Sequence, residues 1–336
     1  MQNPIIVLGA GRMGEGIALS FILAGQAVVL VDFKVREPNE RARYYDQARS
    51  RLTTELTYLR DQRLVQTEQI ASMVSRLQFI DHQGATVPMS GRLVFEALPE
   101  VRELKQKGLA WASQQLPENV VIASTTSTFL VNELSEMVTN PARFMNAHWL
   151  NPAHLMPLVE VSRSTDTESR YIDELYGVLK GIGKVPVLCE AAPGYIVPRL
   201  QVLLMNEAAR LVEEGVASAK DIDVAMRVGL GLRYSVLGVL EFIDWGGGDT
   251  LYYASNYLCD KLDERFKSPD VIARNMQERR RGFQDGQGFF DYEGSDLAQH
   301  RRQRSDDFLK RLALLELMPV VEDRPNSSGH SRGVES

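Results

Sequence analysis

Ile5-Ile6-Val7-Leu8-Gly9-Ala10-Gly11-Arg12-Met13-Gly14-Glu15-Gly16-Ile17-Ala18 is the stretch that decides the fold. A short apolar run, the pattern of a buried strand, stops at Gly9. G-x-G-x-x-G follows and opens an amphipathic helix that ends near Gly25. The first glycine of such a turn permits the reversal, the second lets the backbone approach a pyrophosphate, and the third lets helix pack close to strand. Unpaired N–H groups and the positive dipole end then face the phosphates. Gly9, Gly11, Arg12, Met13 and Gly14 are the first candidate cofactor residues.

A second apolar run, Ala27 to Val31, ends at Asp32, eighteen residues beyond Gly14. An acid there accepts hydrogen bonds from the adenosine ribose hydroxyls and repels a 2′-phosphate, so NAD is expected rather than NADP. Lys34 and Arg36 follow closely and soften that preference. Pro38 to about Leu77 is arginine-rich helical-hairpin material. Further buried-strand patterns lie at 92–97, 120–123, 157–161 and 184–188, and Phe144 to Ala147 leads into His148 as though the histidine stood just past a strand. The polar run Ser124 to Thr128 follows a strand where ligands lie in a doubly wound sheet; the same hydroxyls also suit turns and caps.

One later stretch stands out, Asn146-Ala147-His148-Trp149-Leu150-Asn151-Pro152-Ala153-His154-Leu155-Met156-Pro157-Leu158-Val159-Glu160-Val161. Glu160 interrupts an apolar strand-like run, and a carboxylate desolvated in that way calls for a partner. His148 is the nearest candidate, which makes the two a general base and the group that orients it. His154, between them, is expected to be a lining or surface residue.

From Pro193 the pattern turns helical, which puts the expected boundary near residue 190. The predicted architecture is α/β: an N-terminal Rossmann-type doubly wound sheet over 1–190, with a helical hairpin insertion near 38–77, then an all-α domain over 191–320 and a disordered tail over 321–336. The helix Val197 to Val212 is apolar on more than one side, the pattern of a bundle centre or a subunit interface. A homodimer through this helical domain is expected.

Composition narrows the function. The 336 residues carry a formal charge of −6, so no global basic field points to nucleic acid or an anionic membrane surface. No leader and no membrane span is expected, and the cytoplasm is the expected compartment. Two cysteines, Cys189 and Cys259, fit a reducing compartment and make a structural zinc site improbable, so no metal is expected.

Taken together, Gly9 to Gly14, Glu96-Ala97-Leu98-Pro99-Glu100, Ser124-Thr125-Thr126-Ser127, His148-Trp149-Leu150-Asn151-Pro152, Pro157 to Val161, Pro193-Gly194-Tyr195-Ile196-Val197 and Gly286-Gln287-Gly288-Phe289-Phe290-Asp291-Tyr292 resemble the 3-hydroxyacyl-CoA dehydrogenase family, in order and spacing as well as content. The resemblance extends to relatives acting on free acids, of the L-gulonate and L-carnitine dehydrogenase type. It implies NAD-dependent oxidation of a small-molecule L-3-hydroxyacyl substrate, most simply a short-chain acyl-CoA. It makes His148 the base, Glu160 its orienting group, Ser127 a neighbour of the substrate oxygen, and Glu100 and Lys105 neighbours of the nicotinamide ribose. Asn151 and Arg199 are further candidate substrate contacts. Where the family usually has Asn after the Pro-Gly-aromatic-Ile-Val run, this chain has Pro198. Arg233 lies in a segment similar to the free-acid relatives and is a candidate carboxylate clamp, which supports the alternative of a free 3-hydroxy acid. A non-catalytic dinucleotide-binding protein is the third reading.

Overall fold

The structure is a computed structural model that describes residues 3–83 and 93–320. The expected tail, 321–336, lies outside the described residues. The chain forms two compact units, Met1–Asn206 and Glu207–Ser336.

The first unit is an eight-stranded sheet. Its strands are Ile5–Leu8 (β1), Val28–Asp32 (β2), Leu77–Asp81 (β3), Leu93–Glu96 (β4), Val121–Ser124 (β5), Phe144–Trp149 (β6), Leu158–Arg163 (β7) and Val185–Glu190 (β8), in the spatial order β3-β2-β1-β4-β5-β6-β7-β8. Every neighbouring pair is parallel except β6 and β7. The helices include Arg12–Leu23 (α1), Pro38–Asp61 (α2), Thr67–Ser75 (α3), Arg102–Gln115 (α4), Val131–Ser135 (α5) and Ser169–Gly181 (α6). Strands β1, β2, β4 and β5 are buried along their whole length, as continuous apolar runs covered on both faces must be. Two clusters fill the space: one contains Phe21, Leu56, Phe95 and Trp149, the other Leu8, Val94, Leu109 and Phe144.

Two expectations change. His148 lies inside β6, not past it, because the ladder with β7 continues to Trp149. Strand β3 stands where the sequence reads as the end of the hairpin; it is an edge strand with Leu77 alone buried, so it has neither an apolar run nor alternation.

The helix Val197–Glu213 (α7) crosses the division between the units. It has no buried residue, so it is not the centre of a bundle within one chain. In the second unit, which includes Ala219–Ala225, Val239–Gly246, Gly248–Lys261, Asp270–Gln277 and Leu297–Leu314, Asp244 is buried and accepts hydrogen bonds from Phe289 N, Phe290 N and the Tyr292 hydroxyl. A Cβ on Gly288 would lie 2.1 Å from Asp244 Oδ1, which explains the glycine in Gly286-Gln287-Gly288-Phe289-Phe290.

Candidate active site

The glycine turn connects β1 to α1. Gly9 has φ +103, and a Cβ on Gly14 would fall 1.9 Å from the Gly9 carbonyl oxygen, so this close helix–strand approach admits glycine only. The turn borders a cleft of about 810 Å³ lined also by Arg12, Met13, Asp32, Glu100, Lys105, Ser127 and Asn151. One fold therefore gathers most of the residues singled out in the sequence. Asp32 ends β2 and is buried; Arg36 Nε donates to its Oδ2 at 2.9 Å and Lys34 N to its Oδ1 at 3.0 Å. The Arg36 guanidinium lies 3.9 Å from the centroid of the Tyr44 ring. These groups fit a dinucleotide: N–H donors at a helix end, a carboxylate at the ribose position, and free space along the turn.

The far wall is a charge network that sequence reading found only in part. Lys105, buried, reaches Glu96 Oε2 at 3.1 Å and Glu100 Oε2 at 3.0 Å. Burial pushes the Glu96 carboxyl up, against the opposing pull of Lys105 and of the Ser124 hydroxyl that donates to it. Burial also pushes Glu100 up, but Lys105 and the donors around it prevail and hold it below the usual carboxylate range. Those donors are the Thr126 hydroxyl and the backbone N–H groups of Ser127 and Thr128. Glu96 carries the same signal as Glu160, a carboxylate in an apolar strand, and that is the mark by which it could have been singled out.

His148 and Glu160 are directly paired residues of the antiparallel β6–β7 ladder, so their side chains share one face of the sheet. Both are buried, and His148 Nδ1 lies 2.8 Å from Glu160 Oε2. Since a carboxylate only accepts, it fixes the proton on Nδ1 and leaves Nε2 as a proton acceptor. The other oxygen, Oε1, accepts from Ile196 N at 2.9 Å and Val197 N at 2.7 Å, at the start of α7. Burial raises the Glu160 carboxyl, yet these donors outweigh it and the group sits below its ordinary range.

The loop after β6 carries Asn151, and its Asn151–Pro152 bond is cis. Lys184 pins that loop: its buried ammonium donates to Ala153 O at 2.6 Å and Met156 O at 2.8 Å. Burial lowers the Lys184 pKa. A second cavity, of about 710 Å³, shares Gly11, Arg12, Tyr44 and Asn151 with the cofactor cleft. His154 lines it, 3.0 Å from Glu55. Arg199 is exposed in the first turn of α7 and lines neither cavity. Arg233 belongs to the second unit, where its guanidinium lies 4.4 Å from the Phe242 ring centroid.

No group of three or more His, Cys, Asp or Glu side chains among the described residues is placed to hold a metal ion, and no described helix is long and apolar enough to cross a membrane.

Comparison with known proteins gives a consistent result. The family model described as "3-hydroxyacyl-CoA dehydrogenase, NAD binding domain" matches residues 4–192, and that described as "3-hydroxyacyl-CoA dehydrogenase, C-terminal domain" matches 194–292. A probable 3-hydroxyacyl-CoA dehydrogenase of Caenorhabditis elegans is 31% identical over 304 residues, covering 87% of this chain and 97% of the relative. The 5-formyl-3-hydroxy-2-methylpyridine 4-carboxylate 5-dehydrogenase of Mesorhizobium japonicum is 27% identical, covering 87% of this chain and 91% of that protein. Among solved structures, a 3-hydroxyacyl-CoA dehydrogenase of Archaeoglobus fulgidus superposes with a TM-score of 0.72 at 30% identity, over 94% of this chain and 100% of the other.

Proposed function

The chain belongs to the 3-hydroxyacyl-CoA dehydrogenase family of NAD-dependent oxidoreductases acting on CH–OH groups, and from that premise we propose that it oxidises the 3-hydroxyl of a short-chain L-3-hydroxyacyl-CoA to a keto group. The observation that carries this reading is the buried pair of His148 on β6 and Glu160 on β7, with His148 three residues before Asn151, which lines the cofactor cleft.

Bound NAD supplies the hydride acceptor. The protein's part is to bind, orient and take a proton. The glycine turn and Arg12 and Met13 hold the pyrophosphate, Asp32 the adenosine ribose, and Glu100 and Lys105 the nicotinamide ribose. His148 Nε2 takes the proton of the 3-hydroxyl as hydride leaves C3, and in reverse it returns that proton. Glu160 keeps the imidazole in the accepting tautomer and stabilises the imidazolium as it forms. Ser127 and Asn151 donate to the substrate oxygens. His148→Gln is expected to lower turnover of 3-hydroxybutyryl-CoA by about two to four orders of magnitude while NAD binding persists. Unchanged turnover removes His148 as the base.

A second reading keeps this chemistry on a free hydroxy acid, gripped by Arg233. Two observations favour it: Pro198 stands where an amide would hold a thioester carbonyl, and the Mesorhizobium relative is named for a pyridine carboxylate. Arg233→Ala then raises KM for a free acid strongly and leaves a thioester nearly unaffected. Equal turnover of 3-hydroxybutyrate and its CoA ester by the parent protein overturns the thioester reading.

The helical region 191–320 serves substrate binding and dimerisation. Leu200, Val202, Leu203, Leu204 and Met205 form an apolar surface on α7, with Leu203 66% exposed, more than a monomer ordinarily leaves in water. A second copy covers it, and a monomeric sedimentation coefficient at micromolar concentration rejects this.

A further inference from the structure

Tyr195 touches the proposed base without taking part in any step above. Its ring stacks on the His148 imidazole with centroids 5.0 Å apart and planes 9° from parallel. Its hydroxyl donates to Thr126 O at 2.8 Å and accepts from Asn146 Nδ2 at 3.0 Å. Thr126 immediately precedes Ser127, which lines the cofactor cleft.

The backbone is shaped for this. Tyr195 has φ +47, directly after Gly194 at φ +77, and a left-handed conformation in a bulky residue persists only where its surroundings enforce it. The same turn aims the N–H groups of Ile196 and Val197 at Glu160. One strained corner therefore supplies both supports of the imidazole. Glu160 holds it at Nδ1, but a single hydrogen bond fixes one atom and leaves the ring free to pivot about that bond. A parallel aromatic face removes the pivot.

We propose that Tyr195 is a positioning residue for hydride transfer: its ring sets the plane of the His148 imidazole, and its hydroxyl ties that plane to the loop bearing Ser127. The inference rests on the reading of His148 as base. Burial pushes the Tyr195 phenol well above its ordinary pKa, and its proton is committed to Thr126 O, so Tyr195 holds its neighbours and transfers no proton itself.

The test uses the full chain, NAD, and whichever of 3-hydroxybutyryl-CoA and free 3-hydroxybutyrate the parent oxidises, with hydrogen or deuterium at C3. Tyr195→Leu is expected to lower kcat about 30-fold, leave KM for NAD within about twofold, and raise the deuterium isotope effect on kcat as chemistry becomes limiting. Tyr195→Phe restores the stacked face, and kcat returns to within about fivefold of the parent. Tyr195→Met stands in for the leucine variant if that protein fails to bind NAD. A leucine or methionine variant with parental kcat and isotope effect overturns the proposal, as does a phenylalanine variant no better than leucine. His148→Gln is run alongside: if it retains turnover, or if neither substrate is oxidised, the reading of the base or of the function fails instead.

Discussion

Replacing Glu160 by Gln keeps the shape of the site and changes one chemical fact. The carboxylate serves three donors, with Oε1 on Ile196 N and Val197 N and Oε2 on His148 Nδ1. Glutamine brings one oxygen. Two buried backbone N–H groups outbid a single imidazole N–H for it, since each left unsatisfied costs about 1–3 kcal/mol. The amide NH2 then faces Nδ1, and two donors cannot meet. The imidazole answers by shifting its proton to Nε2, the atom proposed to accept one from the substrate. On this reasoning kcat falls by about three to four orders of magnitude, or about 4–5.5 kcal/mol in the barrier, as for other catalytic histidines locked in the wrong tautomer. The assay is NADH formation, with NAD affinity measured separately by fluorescence titration. A variant within tenfold of the parent would refute the tautomer argument. Stability gives a second readout. Because Glu160 sits below its ordinary pKa when folded, it stabilises the fold above the unfolded value of about 4.3, and that contribution vanishes as pH falls through the lower folded value. Denaturant unfolding followed from pH 7 down through the acid range below the unfolded value should show this acid-sensitive contribution in the parent and its loss in Glu160→Gln.

Other residues lend themselves to similar tests. Asp32→Ala removes the proposed ribose acceptor and frees Arg36, so KM for NAD should rise about tenfold while that for NADP falls, as steady-state assays with each cofactor would report. Lys105→Met strands Glu96 in a buried site without its cation; unfolding free energy should drop by about 3–5 kcal/mol, read by urea titration. Asp244→Ala leaves two N–H groups and the Tyr292 hydroxyl without their acceptor, and should destabilise the second unit by about 2–4 kcal/mol in calorimetry.

The residues that sequence alone revealed are those whose signal is local. The glycine turn, Asp32 and Glu160 announce themselves within a few positions. Tyr195 does not: its stack on His148 joins segments 47 residues apart, and nothing in Pro193-Gly194-Tyr195 says where the ring will point. The Arg36–Asp32 pair is near in sequence, yet an arginine after a strand end reads equally as solvated surface. Strand β3 escaped because an edge strand with one buried residue has no periodicity to detect. Helix α7 was legible as apolar, but apolarity does not say whether the covering surface belongs to the same chain or to another.

The β6–β7 reversal separates two kinds of change. His148 and Glu160 face each other because their strands are hydrogen-bonded in that register, so their alignment does not depend on the eight residues 150–157 that join them. That connecting segment, with Asn151 and His154 along the cavity beside the cofactor cleft, is held separately, by Lys184 at Ala153 O and Met156 O, so changes at its other positions need not move the His148–Glu160 pair. Under the proposed function, substitution there would alter which substrate is accepted and leave the chemistry done to it in place, a division of labour between loop and ladder.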